Sequence, residues 1–268
     1  MISSILSLTQ LYPISSILII SVCALMVGSV LSMTIYRLPL ILEQPDSASF
    51  NLFFPRSHCV HCKKTIPFYY NIPLFSYLYL RGRCHHCRHK ISWRYPIVEI
   101  LTLVLSLLAV YTYGYTFITL WVLAFVSLTL CLGFIDLEHQ LLPDTLTLGL
   151  LWLGLLMNTQ SVFCTLPNAV WSAAGAYLCL WVVMKLFCLI TGKIGMGHGD
   201  FKLFAAFGAW FGWTALIPIL LIASTLGSVI GLSYLRITKQ NRNTPIPFGP
   251  FLCIGGLATL FFPMLKQF

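Results

Sequence analysis

Long apolar runs separated by brief polar breaks dominate the pattern along this chain. The first run extends from about Pro13 to Tyr36. A polar stretch follows over residues 37–94, and apolar runs resume at roughly 95–113, 116–135, 144–158, 169–190, 201–213, 215–235 and 248–264. A helix needs about 20 predominantly apolar residues to cross the hydrocarbon core of a bilayer. The pattern therefore predicts an all-α polytopic membrane protein of about eight transmembrane helices, with a small polar domain between helices 1 and 2. The division is 1–36 as the first transmembrane helix, 37–94 as the cytoplasmic domain and 95–268 as the transmembrane core. The first run lacks a basic n-region and a small-residue cleavage site, so it reads as an uncleaved span rather than a signal peptide.

Composition agrees with this reading: 58% of the 268 residues are hydrophobic and only 9% are charged, whereas soluble domains carry about 25% charged residues. The formal net charge of +9 raises the question of nucleic acid, but its distribution points to membrane topology. Nine of the sixteen Lys and Arg lie from Arg37 to Arg94, which places that stretch on the cytoplasmic side by the positive-inside rule. Lys193, Lys202, Arg236, Lys239 and Arg242 then fall on or beside the other cytoplasmic loops, and only Lys266 runs against the trend. Lys185 sits inside a span near its cytoplasmic end, where a long side chain can snorkel.

The cytoplasmic stretch holds Cys59-Val-His-Cys62, then twenty-one residues, then Cys84-His-His-Cys87. Two CxxC knuckles at this spacing predict a tetrahedral site in which Cys59, Cys62, Cys84 and Cys87 hold structural zinc. His58, His61, His85, His86 and His89 stand close enough in sequence to compete as ligands. Four thiolates close the coordination shell and leave no position for water, which argues against a metalloprotease. HExxH is absent from the sequence. The other six cysteines are scattered through apolar segments and short loops as small packing residues.

Four of the seven acids fall at expected cytoplasmic helix ends: Asp136, Glu138, Asp144 and Asp200. An acid at membrane depth is costly and marks function by default. Asp136 and Asp200 suggest a dyad sharing one proton, one carboxylate activating water while the other polarises a carbonyl. Gly197 and Gly199 beside Asp200 would let a substrate backbone approach. Each aspartate could instead cap the helix that follows it, and for Asp144, after Pro143, capping is the preferred reading.

Gly197-His198-Gly199-Asp200 matches the GxGD motif, and Asp136-Leu-Glu-His-Gln-Leu-Leu-Pro-Asp144 is similar to the first catalytic block of prepilin leader peptidases. Gly28 to Pro39, Arg83-Cys84, Tyr95-Pro-Ile-Val-Glu99 and Thr244 to Pro250 extend the resemblance, in order, from about residue 20 to 255. Ser32 stands where the family usually has Asn, and His198 fills the variable GxGD position. The resemblance implies an aspartic peptidase of the inner membrane with Asp136 and Asp200 as its catalytic pair. Its substrates would be type IV prepilins and the pseudopilins of type II secretion, cut after a glycine. It further implies N-methylation of the new terminus with S-adenosylmethionine; the alternative is a peptidase without methyl transfer. Membrane lipid is an expected partner and nucleic acid is not. No Rossmann GxGxxG is present to locate the methyl donor, and the zinc domain with Glu99 is its candidate place.

Overall fold

The computed structural model describes residues 13–43, 51–192, 195–238 and 247–262. Lys193, Lys239, Arg242, Lys266 and the Thr244–Ile246 part of the last motif lie outside the described residues. Among the described residues the structure is helical, with two isolated β-bridges. The chain forms two compact units, Met1–Ser127 and Leu128–Phe268.

In the first unit, α1 (Pro13–Glu43) packs on α3 (Arg94–Tyr113). Small residues allow the approach: a Cβ at Gly28 would stand 2.9 Å from the Cα of Glu99. Helix α1 continues past Tyr36, the expected end of the first span, to Glu43. Arg37 does not break it because the guanidinium is buried and bonded, donating to the carbonyls of Asn51, Leu52 and Pro55 at 3.1, 3.1 and 2.6 Å. Charge alone ends a helix poorly when every donor finds an acceptor. Between α1 and α3 lie a 3₁₀ turn (Phe68–Asn71), the short α2 (Phe75–Tyr79) and the two cysteine knuckles. The backbone N–H of Leu74, just before α2, donates to Glu99 Oε2 at 2.8 Å, so the carboxylate of α3 holds the entry to that turn.

Helix α4 (Phe117–His139) runs from the first unit into the second. The second unit continues with α5 (Asp144–Asn158), α6 (Leu166–Thr191), α7 (His198–Phe211), α8 (Trp213–Thr238) and α9 (Gly249–Phe261). Its centre is α7, in which every residue from Phe201 to Phe211, other than Lys202, is buried. A helix apolar on all sides belongs inside protein rather than at an interface. Helices α5 and α6 cover it, and Gly208 lets α6 come close, since a Cβ there would stand 2.8 Å from the Ser172 carbonyl. The end of α7 is closed from outside the helix. Asn158 Nδ2 donates to the carbonyls of Ala209 and Trp210, and Trp210 Nε1 donates to the Leu150 carbonyl. The two Asn158 bonds occupy carbonyls that the C-terminus of α7 otherwise leaves open, and the Trp210 bond ties that end to the middle of α5.

Helices occupy all eight expected places. Five described helices, α1, α3, α4, α6 and α8, are long and apolar enough to cross a membrane. Helices α5, α7 and α9 have 15, 14 and 13 residues. At 1.5 Å per residue they reach only about 20–23 Å, short of a hydrocarbon core of about 30 Å.

Candidate active site and metal centre

Four helix ends meet in the second unit. Helix α4 ends at His139, and residues 140–143 lead directly into α5. Asp136 lies in the last turn of α4, and Asp200 is the third residue of α7. Leu142 joins these ends: a Cβ at Gly199 would stand 2.7 Å from the Cβ of Leu142, and one at Gly249 would stand 3.3 Å from its Cδ1. The start of α9 closes the group, because a Cβ at Gly249 would meet Asp136 Oδ2 at 2.6 Å.

Both carboxylates are buried, Asp136 at 5% and Asp200 at 7% exposure, and each lies within electrostatic reach of the other. Asp200 Oδ2 accepts the Gly197 N–H at 3.3 Å, the reach-back of a residue in the first helical turn to its cap. Asp136 Oδ2 and Asp200 Oδ1 have no hydrogen-bond partner of good geometry among the described residues. Buried carboxylate oxygens are ordinarily satisfied, and exceptions call for an explanation such as a catalytic role. Two such oxygens at one convergence of helix ends are arranged to take up a water or a polar substrate.

The neighbouring polar residues divide in ways the sequence left open. The expected N-cap role of Asp144 is corrected. It opens α5 without a side-chain cap bond and instead pairs with Lys202 Nζ at 2.6 Å, because α7 brings that cation alongside. His198 is exposed, its ring edge-on to Phe201 with centroids 5.5 Å apart. Glu138 is exposed on the last turn of α4. Gly197 and Gly199 differ: Gly199 is pressed on Leu142, whereas a Cβ at Gly197 would meet Asp200 Oδ2 only at an ordinary 3.6 Å. Gly249 and Leu142 carried no assigned role in the sequence. Gly249-Pro250 before an apolar run signals a helix start, but nothing local says that it faces Asp136.

In the first unit the two knuckles fold alike. Lys63 N–H donates to the Cys59 carbonyl and Cys59 N–H to the Lys64 carbonyl; Arg88 N–H donates to the Cys84 carbonyl and Cys84 N–H to the His89 carbonyl. Lys63 and Arg88, each just past its second cysteine, have positive φ of 54° and 58°. The bridges His58–Thr65 and Arg83–Lys90 close the two turns. The ligating atoms of Cys59, Cys62, Cys84 and Cys87 all lie within 4.8 Å of one another. A metal–sulfur bond of about 2.3 Å in a tetrahedron sets sulfurs about 3.8 Å apart, and Cys59 Sγ and Cys87 Sγ stand at 3.8 Å. The donor set therefore fits a tetrahedral ion. The Cys87 backbone N–H pulls the Cys84 thiol down to about 7, while in the same cluster the Cys87 thiol is pushed up to about 11, the His89 N–H being outweighed by burial and by the neighbouring Cys84, Cys62 and Cys59 thiols. The histidines are engaged elsewhere: His61 stacks on His89 at 4.5 Å, His85 on Tyr70 at 4.8 Å, and His58 Nδ1 lies 3.0 Å from the Arg56 carbonyl.

Residues 22–113 match the family described as the bacterial peptidase A24 N-terminal domain, and residues 123–232 match the type IV leader peptidase family. A Legionella pneumophila protein named prepilin leader peptidase/N-methyltransferase is 52% identical over 265 residues, covering 93% of this chain and 92% of that protein. Proteins of the same name from Stutzerimonas stutzeri and Pseudomonas aeruginosa are 43% and 40% identical, each covering more than nine-tenths of both chains. No solved structure matches.

Proposed function

Because the chain belongs to the type IV leader peptidase family, we propose that it cleaves the leader of type IV prepilins and pseudopilins after a glycine, with Asp136 and Asp200 as the acid–base pair, and then N-methylates the new terminus. The observation that carries the peptidase assignment is the pair of buried carboxylates at converging helix ends, each with one oxygen that makes no hydrogen bond of good geometry among the described residues. Two carboxylates that share one buried site favour a state in which one of them keeps a proton. The ionised partner takes a proton from water as that water attacks the scissile carbonyl. The protonated partner donates to the carbonyl oxygen and stabilises the tetrahedral intermediate. Burial by α7 and α9 keeps competing water away from the proton-sharing pair. Gly197, uncrowded beside Asp200, leaves surface for the substrate backbone.

Charge supports an inner-membrane protein with this site on the cytoplasmic side, where thiols stay reduced. The natural division of labour is residues 1–36 as anchor, 37–94 as cytoplasmic domain and 95–268 as peptidase core. Cys59, Cys62, Cys84 and Cys87 would hold zinc as a structural ion, supplying folding energy to a segment with little core of its own. S-adenosylmethionine is the methyl donor. A terminal amine has an ordinary pKa of about 7.7–8.0, so a usable fraction is neutral near pH 7 and the transfer needs no acid dyad. The two activities should therefore separate. Asp136→Asn or Asp200→Asn enzyme, given already trimmed pilin and radiolabelled donor, should still transfer the methyl group. Transfer by wild type but by neither variant would contradict separate sites, and no transfer by wild type would leave a peptidase alone.

A further inference from the structure

The short α2 is inside out for a helix in water. Phe75, Leu78 and Tyr79 stand at i, i+3 and i+4, which places them on one helix face, and they are 70, 74 and 77% exposed. Ser76, off that face, is the residue turned inward: it is buried and donates its hydroxyl to the Tyr69 carbonyl at 3.2 Å. The apolar surface continues onto the 3₁₀ turn, where Phe68 is also exposed, and Tyr69, Tyr70, Ile72, Phe75 and Tyr79 line one depression. A contiguous exposed apolar patch of this kind marks a surface that meets a membrane or a partner.

The level of α2 along α3 distinguishes the two. The Leu74 N–H, at the entry to α2, donates to Glu99 Oε2 at 2.8 Å. Glu99 is the sixth residue of α3, about 7.5 Å from its start, and helix side chains lean back toward the N-terminus. The carboxylate and Leu74 therefore stand at the first turns of α3. That helix has 20 residues, about 30 Å, which is the thickness of the hydrocarbon core, so its first turns mark the membrane boundary. Tyr77 makes a second tie to the same level, its ring 5.6 Å from that of Trp93, which directly precedes α3 and is exposed. Trp and Tyr gather where the headgroups lie. Charge then selects the lipid. From Asn51 to Val98 the sequence contains no aspartate or glutamate, while eight of its residues are Lys or Arg, and Arg81 and Arg83, just after α2, are exposed. Basic segments beside a membrane span are drawn to anionic headgroups.

We propose that α2 and the adjoining 3₁₀ turn lie in the headgroup layer of an anionic phospholipid leaflet, with Phe75, Leu78 and Tyr79 at the edge of the hydrocarbon and the surrounding Lys and Arg on phosphates. The inference rests on the membrane placement in the reading above and not on its chemistry. A protein partner would have to supply a surface both apolar and acidic, whereas the leaflet offers both at the level where α2 already stands. Because Tyr70 stacks on His85 of the second knuckle, the same contact holds the sulfur cluster at the bilayer surface.

Full-length enzyme in nanodiscs of phosphatidylcholine, alone or mixed with phosphatidylglycerol, is exposed to hydroxyl radicals, and oxidation of Phe75, Leu78 and Tyr79 is read by mass spectrometry. A soluble peptide of residues 73–81 gives the reactivity of full exposure. In mixed nanodiscs the three side chains should react about fivefold less than in the peptide, as apolar groups sunk into the headgroup boundary do. In phosphatidylcholine alone the protection should be weaker. Leu78→Glu should restore the reactivity of Phe75 and Tyr79, with bound metal reporting the fold; Leu78→Gln is the second variant should Leu78→Glu lose metal. Peptide-like reactivity in mixed nanodiscs, equal protection in both lipids, or protection undiminished in the metal-retaining variant would overturn the proposal. Protection that appears only with added prepilin would overturn it too and give this face to the substrate. Wild-type enzyme that does not enter nanodiscs would refute the membrane placement itself, and this inference with it.

Discussion

Replacing Gly249 with alanine should disable cleavage without removing a single acid. At the first position of α9, alanine is the better helix former by about 1 kcal/mol, and no positive φ requires glycine there. Space is the reason that remains. A Cβ at 249 falls 2.6 Å from Asp136 Oδ2 and 3.0 Å from its Cγ, with Leu142 Cδ1 at 3.3 Å on another side. Reaching an ordinary contact of 3.4 Å displaces the carboxylate by about 0.8 Å, and a misplacement near 1 Å costs on the order of a hundredfold in rate. A hundredfold corresponds to about 2.7 kcal/mol of barrier. The loss should fall on kcat with KM for prepilin little changed, because the carboxylate acts on the transition state and not in holding the bound prepilin. Purified enzyme in detergent with a purified prepilin, followed by gel mobility of the trimmed product, measures both constants. Bound metal and the thermal midpoint control for misfolding. A kcat within threefold of wild type would show that Asp136 is not held by the start of α9 or that its position does not matter.

The other site residues give sharper contrasts than their shared motif suggests. Gly199→Ala, which meets Leu142 Cβ at 2.7 Å, should destabilise the protein by about 1–3 kcal/mol through overpacking. Gly197→Ala should leave the thermal midpoint unchanged and raise KM for prepilin; an unchanged KM would remove it from the substrate path. Asp144→Asn breaks the pair with Lys202, but Asp144 is 60% exposed, so the loss should stay below about 1 kcal/mol and cleavage should remain within about threefold; a loss comparable to Asp136→Asn would make Asp144 part of the chemistry. Cys59→Ser should lower bound zinc, read by atomic absorption, and increase proteolysis within residues 56–90; full zinc content in this variant would contradict the four-thiolate set.

The features legible in the sequence are those carried by local pattern. Apolar runs locate the eight principal helices, and the spacing of Cys59, Cys62, Cys84 and Cys87 locates the sulfur cluster. What stayed hidden depends on contacts between distant residues. Hydropathy reads Phe201 to Trp213 as a span, but it scores lipid and protein interior alike, so it cannot tell that α7 is enclosed by α5 and α6. Asn158 closes the end of α7 from about fifty residues away, and Gly249 crowds an acid more than a hundred residues earlier. Asp144 stands after Pro143 as a helix cap would, yet the cation that claims it comes from α7. Arg37 looks like the end of a span because its partners, the carbonyls of Asn51, Leu52 and Pro55, carry no sequence signature at all.

The central claim is that Asp136 and Asp200 together perform the cleavage. It is tested most directly by intact-mass spectrometry of a prepilin co-expressed with wild-type, Asp136→Asn or Asp200→Asn enzyme, at matched membrane levels of each. An amide keeps the shape of the side chain but cannot share or accept the proton that the reaction moves. Wild type should yield pilin lacking its leader and carrying the mass of one added methyl group. Each single variant should leave the prepilin at full length. Trimmed pilin in the presence of either variant alone would contradict the account.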